Sequence, residues 1–489
     1  MKVNQGCNAP WYEMNISSAD DQVSPCCYYA GPKDPWSNDL NSLDEYWNSA
    51  NMQQVRKINS GSEVSLTGGC EGCYFFGKSQ AHRGEAATYF PSFLTPFDDL
   101  SPEQRGNWVA AIEDYQNGRT QVKSTPLRFY VNFGFACNLS CTMCHQVPRR
   151  HDLLRQVNAD ALLKWRPYLK AAIDITVIGG EPFALKEAIK FITAVIDDPE
   201  FEAVQLSICT NGTLLHRHMD LLSKKRKLAL AVSLDTIGQE FEQIRIGADW
   251  KQIERNILDF QAKGKQLGYP WQVQAPCMLM KTNVPKLVEF GEWCIANNVQ
   301  PGFYDFINAP GIENTHEAEN LLAYPELVNE IPEWERYFIF AIDRLRNSQW
   351  APSAEQLNSL YKSIRSNKEK SIEARVRSET EARVRSETEA RTLSEIESVR
   401  QEFEAKEKSI EERVRSETEA RMLSELEVRV RQEFEAAVAK KQEEENHLVS
   451  IKQSIKEVTP PPIWEMLRRM KRASKSLFGS ASGNGSSIH

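Results

Sequence analysis

Between residues 126 and 307 a short strand-like run followed by a helix-like run occurs six times, and this alternation limits the fold to a parallel sheet. The strand candidates are RFYVNF, DITVIG, VQLSIC, LALAVSL, WQVQAPCML and GFYDFI. Between them Leu185, Ile189, Ile192 and Ile196 share one helical face. So do Ile253, Ile257 and Phe260, with Gly264 as a stop, and Leu287, Phe290 and Cys294 after Pro285. Strands joined through helices run parallel with right-handed crossovers. The expected class is α/β, a partial (β/α)6 TIM-like barrel, since eight units take ~250 residues and six fit the space better. Pro276 fits the fifth strand poorly.

The 489 residues exceed one core, and the remainder divides by composition. Residues 1–85 are rich in Gly, Pro, Asn and Ser and carry Cys7, Cys26, Cys27, Cys70 and Cys73. They read as a small cysteine-rich domain with little core of its own, held by metal. Residues 86–124 form a connector with a helix, capped by Ser101 with Pro102 in its first turn. The core occupies 125–310, and a helical extension 311–352.

From 353 to 459 the chain has no Gly or Pro, EARVRSET stands in tandem at 373 and 381, and RQEFEA recurs about thirty residues on. This reads as one long charged helix with internal repeats. Its thin seam includes Val376, Val384, Leu393, Ile396, Phe403, Ile410, Val414, Leu423 and Leu426. A self-associating coiled coil and a solvated lone helix are both open. Residues 460–489 carry a basic amphipathic helix at 463–478, suited either to weak contact with a membrane surface or to packing on the protein itself, and then a flexible tail.

A net charge of −8 argues against a general nucleic-acid binder. No apolar run approaches ~18 residues, and the first residues lack the pattern of a signal peptide. The expected location is cytoplasmic, where eleven cysteines serve as metal ligands or buried thiols.

The strongest chemical signal is FACNLSCTMCHQ, which places Cys137, Cys141 and Cys144 directly after the first strand. Parallel α/β folds build their sites at the carboxyl ends of strands. Closed zinc sites and ordinary iron–sulfur clusters take four protein ligands. Three thiolates would leave one iron of a four-iron cluster open to an outside ligand. Further strand ends carry GGEP at 179–182, then CTNGTLL, VSLD and FEQIRIG. Glycines let backbone carbonyls approach closely, and a carboxylate complements an amine.

In this order the motifs resemble those of the radical S-adenosylmethionine (radical SAM) enzymes. The resemblance implies a 4Fe-4S cluster on Cys137, Cys141 and Cys144 whose open iron binds S-adenosylmethionine. It implies reductive cleavage to a 5'-deoxyadenosyl radical, hydrogen abstraction from a peptide, protein or small-molecule substrate, and an external electron donor of flavodoxin or ferredoxin type. Cofactor contacts are implied for Met143, where the family usually has an aromatic residue, and for Gly179, Gly180, Glu181, Pro182, Asn211, Ser233, Asp235 and Arg245. The cysteine-rich start resembles a SPASM or twitch module, here ahead of the core. Its implied ligands for one auxiliary 4Fe-4S cluster are Cys7, Cys26, Cys70 and Cys73, with Cys27 as the alternative to Cys26. A four-thiolate zinc site matches that spacing equally.

Tyr304 and Asp305 are candidates for substrate contact, and His145, Arg149 and Arg150 face either substrate or solvent. Cys209 is either a catalytic or a buried thiol; Cys277 and Cys294 need no role. Oxidation, epimerisation and bond formation all remain open as outcomes. The reading from another class is a coiled-coil scaffold or adaptor with structural zinc staples and no turnover.

Overall fold

The computed structural model describes residues 7–17, 22–26, 29, 31–35, 43–60, 70, 96–144, 146, 155–306, 317–416 and 422–458. Its strands are β1 Glu13–Ser17, β2 Gln22–Ser24, β3 Asp34–Pro35, β4 Arg128–Asn132, β5 Asp174–Ile178, β6 Gln205–Thr210, β7 Leu228–Val232, β8 Gln272–Met278 and β9 Gln300–Tyr304. They form one sheet in the order β3-β2-β1-β4-β5-β6-β7-β8-β9. The six expected strands are β4 to β9, each parallel to the next. Alternate residues divide the faces. Phe129, Val131, Ile175, Val177, Leu206, Ile208 and Leu230 are buried in one cluster with the helix residues Phe191, Ile192, Ile257 and Phe260. By the same alternation Arg128, Tyr130, Thr176, Ser207, Cys209, Gln274 and Tyr304 belong to the other face.

Pro276 is accommodated because the β7–β8 pairing ends at Ala231↔Gln274. Beyond it, the Pro276 carbonyl accepts from the backbone N–H groups of Leu234 and Asp235. The helix Lys186–Asp197 buries Ala188, Phe191, Ile192, Val195 and Ile196, leaving Ile189 at the margin of that face. Gly264 does not stop its helix, which runs Trp250–Leu267 and ends at Gly268 with φ 68°. Gly264 instead lies against Trp271, where an added Cβ would stand 2.9 Å from the indole.

The N-terminal segment departs most from the sequence expectation. β1 pairs in parallel with β4, from Glu13↔Arg128 to Ser17↔Asn132, so the parallel run has seven strands rather than six. Trp11, Met14, Ile16, Val23, Leu43, Trp47 and Met52 join the same buried cluster as the central strands. Apolar residues too few for a separate core are enough to extend an existing one. Arg56 completes the join, donating from Nε to Pro10 O at 2.8 Å and from Nη1 to Thr120 O at 3.0 Å. Its guanidinium stands 4.4 Å above the Trp47 ring, and burial brings its pKa down to about 9. Connecting to the core, the helix Pro102–Gln116 starts with a reciprocal capping box between Ser101 and Gln104.

The chain forms two compact units, Met1–Glu373 and Ala374–His489. The single long helix of the sequence reading is described as two, Ala351–Ser416, whose first residues belong to the first unit, and Met422–Val458. Thr392 bonds Glu445, Lys441 lies 3.1 Å from Glu395, and the Phe403 and Phe434 rings meet at 5.3 Å, so the helices run antiparallel. Exposed i,i+4 pairs such as Arg385–Glu389 and Arg400–Glu404 line the outside. The amphipathic stretch 463–478 lies outside the described residues. Among those described, no helix is long and apolar enough to cross a membrane.

Trp47 is fully buried and donates from Nε1 to Ser124 O at 2.8 Å. Trp47→Ala should cost about 3–5 kcal/mol in urea unfolding of chelator-treated protein. An unchanged midpoint would mean that something other than this packing holds the segment.

Candidate active site

The loop carrying Cys137, Cys141 and Cys144 leaves the carboxyl end of β4 and is held from three sides. From β5, Gly180 N donates to Gly134 O at 2.8 Å and Glu181 N to Ala136 O at 2.9 Å. A Cβ on Gly180 would stand 2.2 Å from Ala136 O and 2.5 Å from Phe135 O, so only glycine permits this approach. From β6, Asn211 Nδ2 donates to Asn138 Oδ1 at 2.9 Å and approaches Cys137 Sγ at 3.7 Å. Asn138 Nδ2 in turn donates to Thr213 Oγ1 at 2.8 Å. From the segment after β7, Ile246 O and Ile244 O accept from Ser140 N and Thr142 N, each at 2.9 Å.

Glu181 is fully buried. Its carboxylate accepts from Phe183 N at 3.1 Å, Thr210 Oγ1 at 2.8 Å and Asn211 N at 2.7 Å. Burial raises its pKa above the ordinary carboxylate value while these donors pull it back. The side chain is thus committed to joining the ends of β5 and β6, and Pro182 is buried beside it.

Asp235 and Arg245 form the charged part of the site, with Asp235 Oδ2 2.6 Å from Arg245 Nη2. Arg245 Nη1 lies 3.7 Å from Cys141 Sγ. Burial opposes the guanidinium charge, but Asp235 and Cys141 outweigh it and raise the pKa. Asp235 holds a left-handed backbone, φ 64°, and accepts from Met278 N at 2.9 Å through Oδ1. Burial pushes the Cys141 thiol up to about 11, while Arg245 pulls the other way. Met143 packs with Ile244, Met280 and Phe306 as an apolar wall beside Cys141. Ser233 is half-buried between the ends of β7 and β6, its N–H on Thr210 O at 3.0 Å.

The sequence reading missed Asn138, Thr213, Met280 and Phe306. The Asn138 and Thr213 positions lie inside motifs already singled out and Phe306 inside the strand run GFYDFI, whereas Met280 carries no local signal.

A second cysteine group gathers elsewhere. Asn59 Oδ1 accepts from Cys7 N at 3.0 Å, and Asn59 Nδ2 points at Cys70 Sγ at 3.8 Å. Tyr29 N donates to Cys26 O at 3.3 Å. Burial, then the nearby Cys70 and Cys26, push the Tyr29 hydroxyl up to about 12. Cys7 precedes β1 and Cys26 follows the antiparallel β2, so both lie toward the amino ends of the parallel strands, opposite Cys137. Cys27, Cys73, His145, Arg149 and Arg150 lie outside the described residues. Asp305 is half-buried after β9, and the Tyr304 ring folds back over Gly302, 3.0 Å from where a Cβ would be.

Among the described residues, no three His, Cys, Asp or Glu side chains converge on a single metal ion. The fit of the loop to a larger sulfur-ligated cluster rests on its donor set and its support. Three thiols share one pinned loop, Arg245 favours the Cys141 thiolate, and the buried Arg245 Nε and Thr236 Oγ1 have no hydrogen-bond partner among the described residues.

Residues 131–269 match the model of the Radical SAM superfamily. A probable GTP 3',8-cyclase of Methanococcus maripaludis is 28% identical over 127 residues, 25% of this chain and 41% of that one. Molybdenum cofactor biosynthesis protein 1 of Drosophila melanogaster is 27% identical over 201 residues, 40% of this chain and 34% of its own length. The matches therefore span less than half of these relatives. Streptococcus suis SuiB aligns over 69% of either chain at 15% identity, with a TM-score of 0.34.

Burial first, with Asp174 and Glu181 adding to it, pushes the Cys209 thiol up to about 12. Since the thiolate is the reactive form, Cys209 should stay unmodified by iodoacetamide at pH 8 in native protein. Peptide mass spectrometry showing rapid labelling there would contradict this environment.

Proposed function

We infer from a radical SAM superfamily domain at residues 131–269, and from the enzyme it makes of this chain, that the site cleaves S-adenosylmethionine reductively and removes hydrogen from a peptide, protein or small-molecule substrate. The observation supporting this most is the cysteine loop itself, pinned by GGEP, by Asn211 and Thr213, and by the Ile244–Ile246 backbone. Cys137, Cys141 and Cys144 would hold a 4Fe-4S cluster. When bound, the cluster and S-adenosylmethionine supply one-electron chemistry that delivers a 5'-deoxyadenosyl radical.

The chain's own residues set the stage for that chemistry. Cys141 must lose a proton to ligate, which its burial resists and Arg245 assists. Gly179 and Gly180, having no side chains, would let backbone carbonyls approach an ammonium group. Glu181 and Pro182 keep that turn in place. Asn211, Ser233 and Asp235 supply polar contacts, and Met143 with Met280 and Phe306 supplies an apolar face.

Cys7, Cys26 and Cys70, with Cys73, would hold one auxiliary cluster at the opposite end of the sheet. The face between the two groups is lined largely by neutral hydrogen-bonding side chains. Among the described strand residues its one cation is Arg128, which lies 3.2 Å from Asp174 and 3.9 Å from Glu13. That composition favours a neutral, hydrogen-bonding substrate over a triphosphate. An external reductant of flavodoxin or ferredoxin type would supply electrons. The antiparallel helices would act as a short coiled coil.

Anaerobic reconstitution should give roughly eight irons per chain, as two four-iron clusters require, and 5'-deoxyadenosine under dithionite. Cys141→Ala should abolish that product, and Cys70→Ala should lose about half of the iron. Zinc alone, with no cofactor cleavage, would overturn the reading.

A further inference from the structure

At the amino ends of β8 and β9, away from the cysteine loop, lies a cavity of about 540 Å³, within the ~300–1,000 Å³ range of small-molecule sites. Its lining combines three aromatic rings, Tyr269, Trp271 and Trp350, with five carboxamide side chains and a single cation, Lys265. No Asp or Glu is among the described residues that line it.

The aromatic wall is built before any ligand arrives. Trp271 stacks on Phe260 at 4.4 Å with 14° between the planes, and its Nε1 donates to Lys225 O at 2.8 Å. Gly264 gives it room to lie flat against the helix Trp250–Leu267. The polar rim is held as well. Gln261 Nε2 donates to Asn297 O at 3.0 Å and Asn298 O at 3.1 Å, and Asn298 has a left-handed φ of 52°. Gln272 stays exposed on the rim. Trp350 closes the wall, although its indole N–H is itself buried.

We propose that this cavity is a binding site, separate from the cysteine loop, for a neutral oligosaccharide. A sugar ring presents apolar C–H faces and a rim of hydroxyls that both donate and accept. Rigid aromatic faces complement the first, and carboxamides, which carry a donor and an acceptor on one plane, complement the second. One lysine is too little to neutralise phosphates, and the carboxylate-free lining gives a cationic ligand no partner. The site stands apart from the reacting centre, so it anchors a glycan or glycan-bearing molecule rather than transforming it.

The test is isothermal titration calorimetry of the full chain with maltotriose, cellotriose, chitotriose and a neutral Gly-Ser hexapeptide. At least one saccharide should bind saturably. Tyr269→Ala removes one half-exposed ring of the lining, and Gln272→Ala removes one exposed amide; each should weaken binding about five- to tenfold, the loss of one stacking contact or one hydrogen bond. Both variants should keep the parent melting midpoint. Cys141→Ala should bind as the parent does, so failure here is distinguishable from failure of the radical reading. No saccharide binding, binding of the hexapeptide alone, or affinities untouched by both variants would overturn the proposal.

Discussion

Among the described residues, the constraint on which the site depends is the contact between the β5 turn and the backbone of the cysteine loop. Gly180 touches the carbonyls of Phe135 and Ala136 where no side chain fits. The N–H groups of Gly180 and Glu181 tie the same backbone down. That approach fixes where Cys137 begins its loop, hence where all three thiols stand. Glu181 extends the constraint to β6 by spending its carboxylate on Thr210 and Asn211. Asn211 then reaches back to Asn138 and Cys137. Three strand ends are thereby locked into one surface, by neutral hydrogen bonds and one buried carboxylate rather than by loop packing alone.

The Asp235–Arg245 pair adds the electrostatic half. Its cost is the burial of two charges, met by an ion pair at 2.6 Å and by the Met278 N–H donating to Asp235. Such a pair is weak evidence for stability but strong evidence for orientation. Arg245 is delivered to Cys141 on a fixed fork, where it lowers the penalty for a thiolate in a partly dry site.

Much of this was legible in the sequence, for physical reasons particular to each element. The strands β4 to β9 show in runs such as DITVI and LALAV because one face must pack under helices. The site motifs show because a close backbone approach demands glycine and a cluster demands cysteine. β1 was not legible: EMNIS has only Met14 and Ile16 facing the core and sits in a Gly- and Asn-rich setting, so local pattern hid a strand that tertiary pairing with β4 defines. Gly264 misled because a packing glycine and a stop glycine look alike. The helical repeats show in the sequence as duplication, but the hairpin does not. Phe403 and Phe434 occupy the same place in the two RQEFEA copies and meet each other, which no one-dimensional reading of the seam expresses.

The central claim is that three thiols on a pinned loop leave one metal corner free for a sulfonium ligand. Electron paramagnetic resonance of the reduced, air-free protein tests it most directly. The account predicts that adding S-adenosylmethionine shifts the cluster signal, and that this shift is missing in Cys141→Ala. A parent signal identical with and without the cofactor would contradict it.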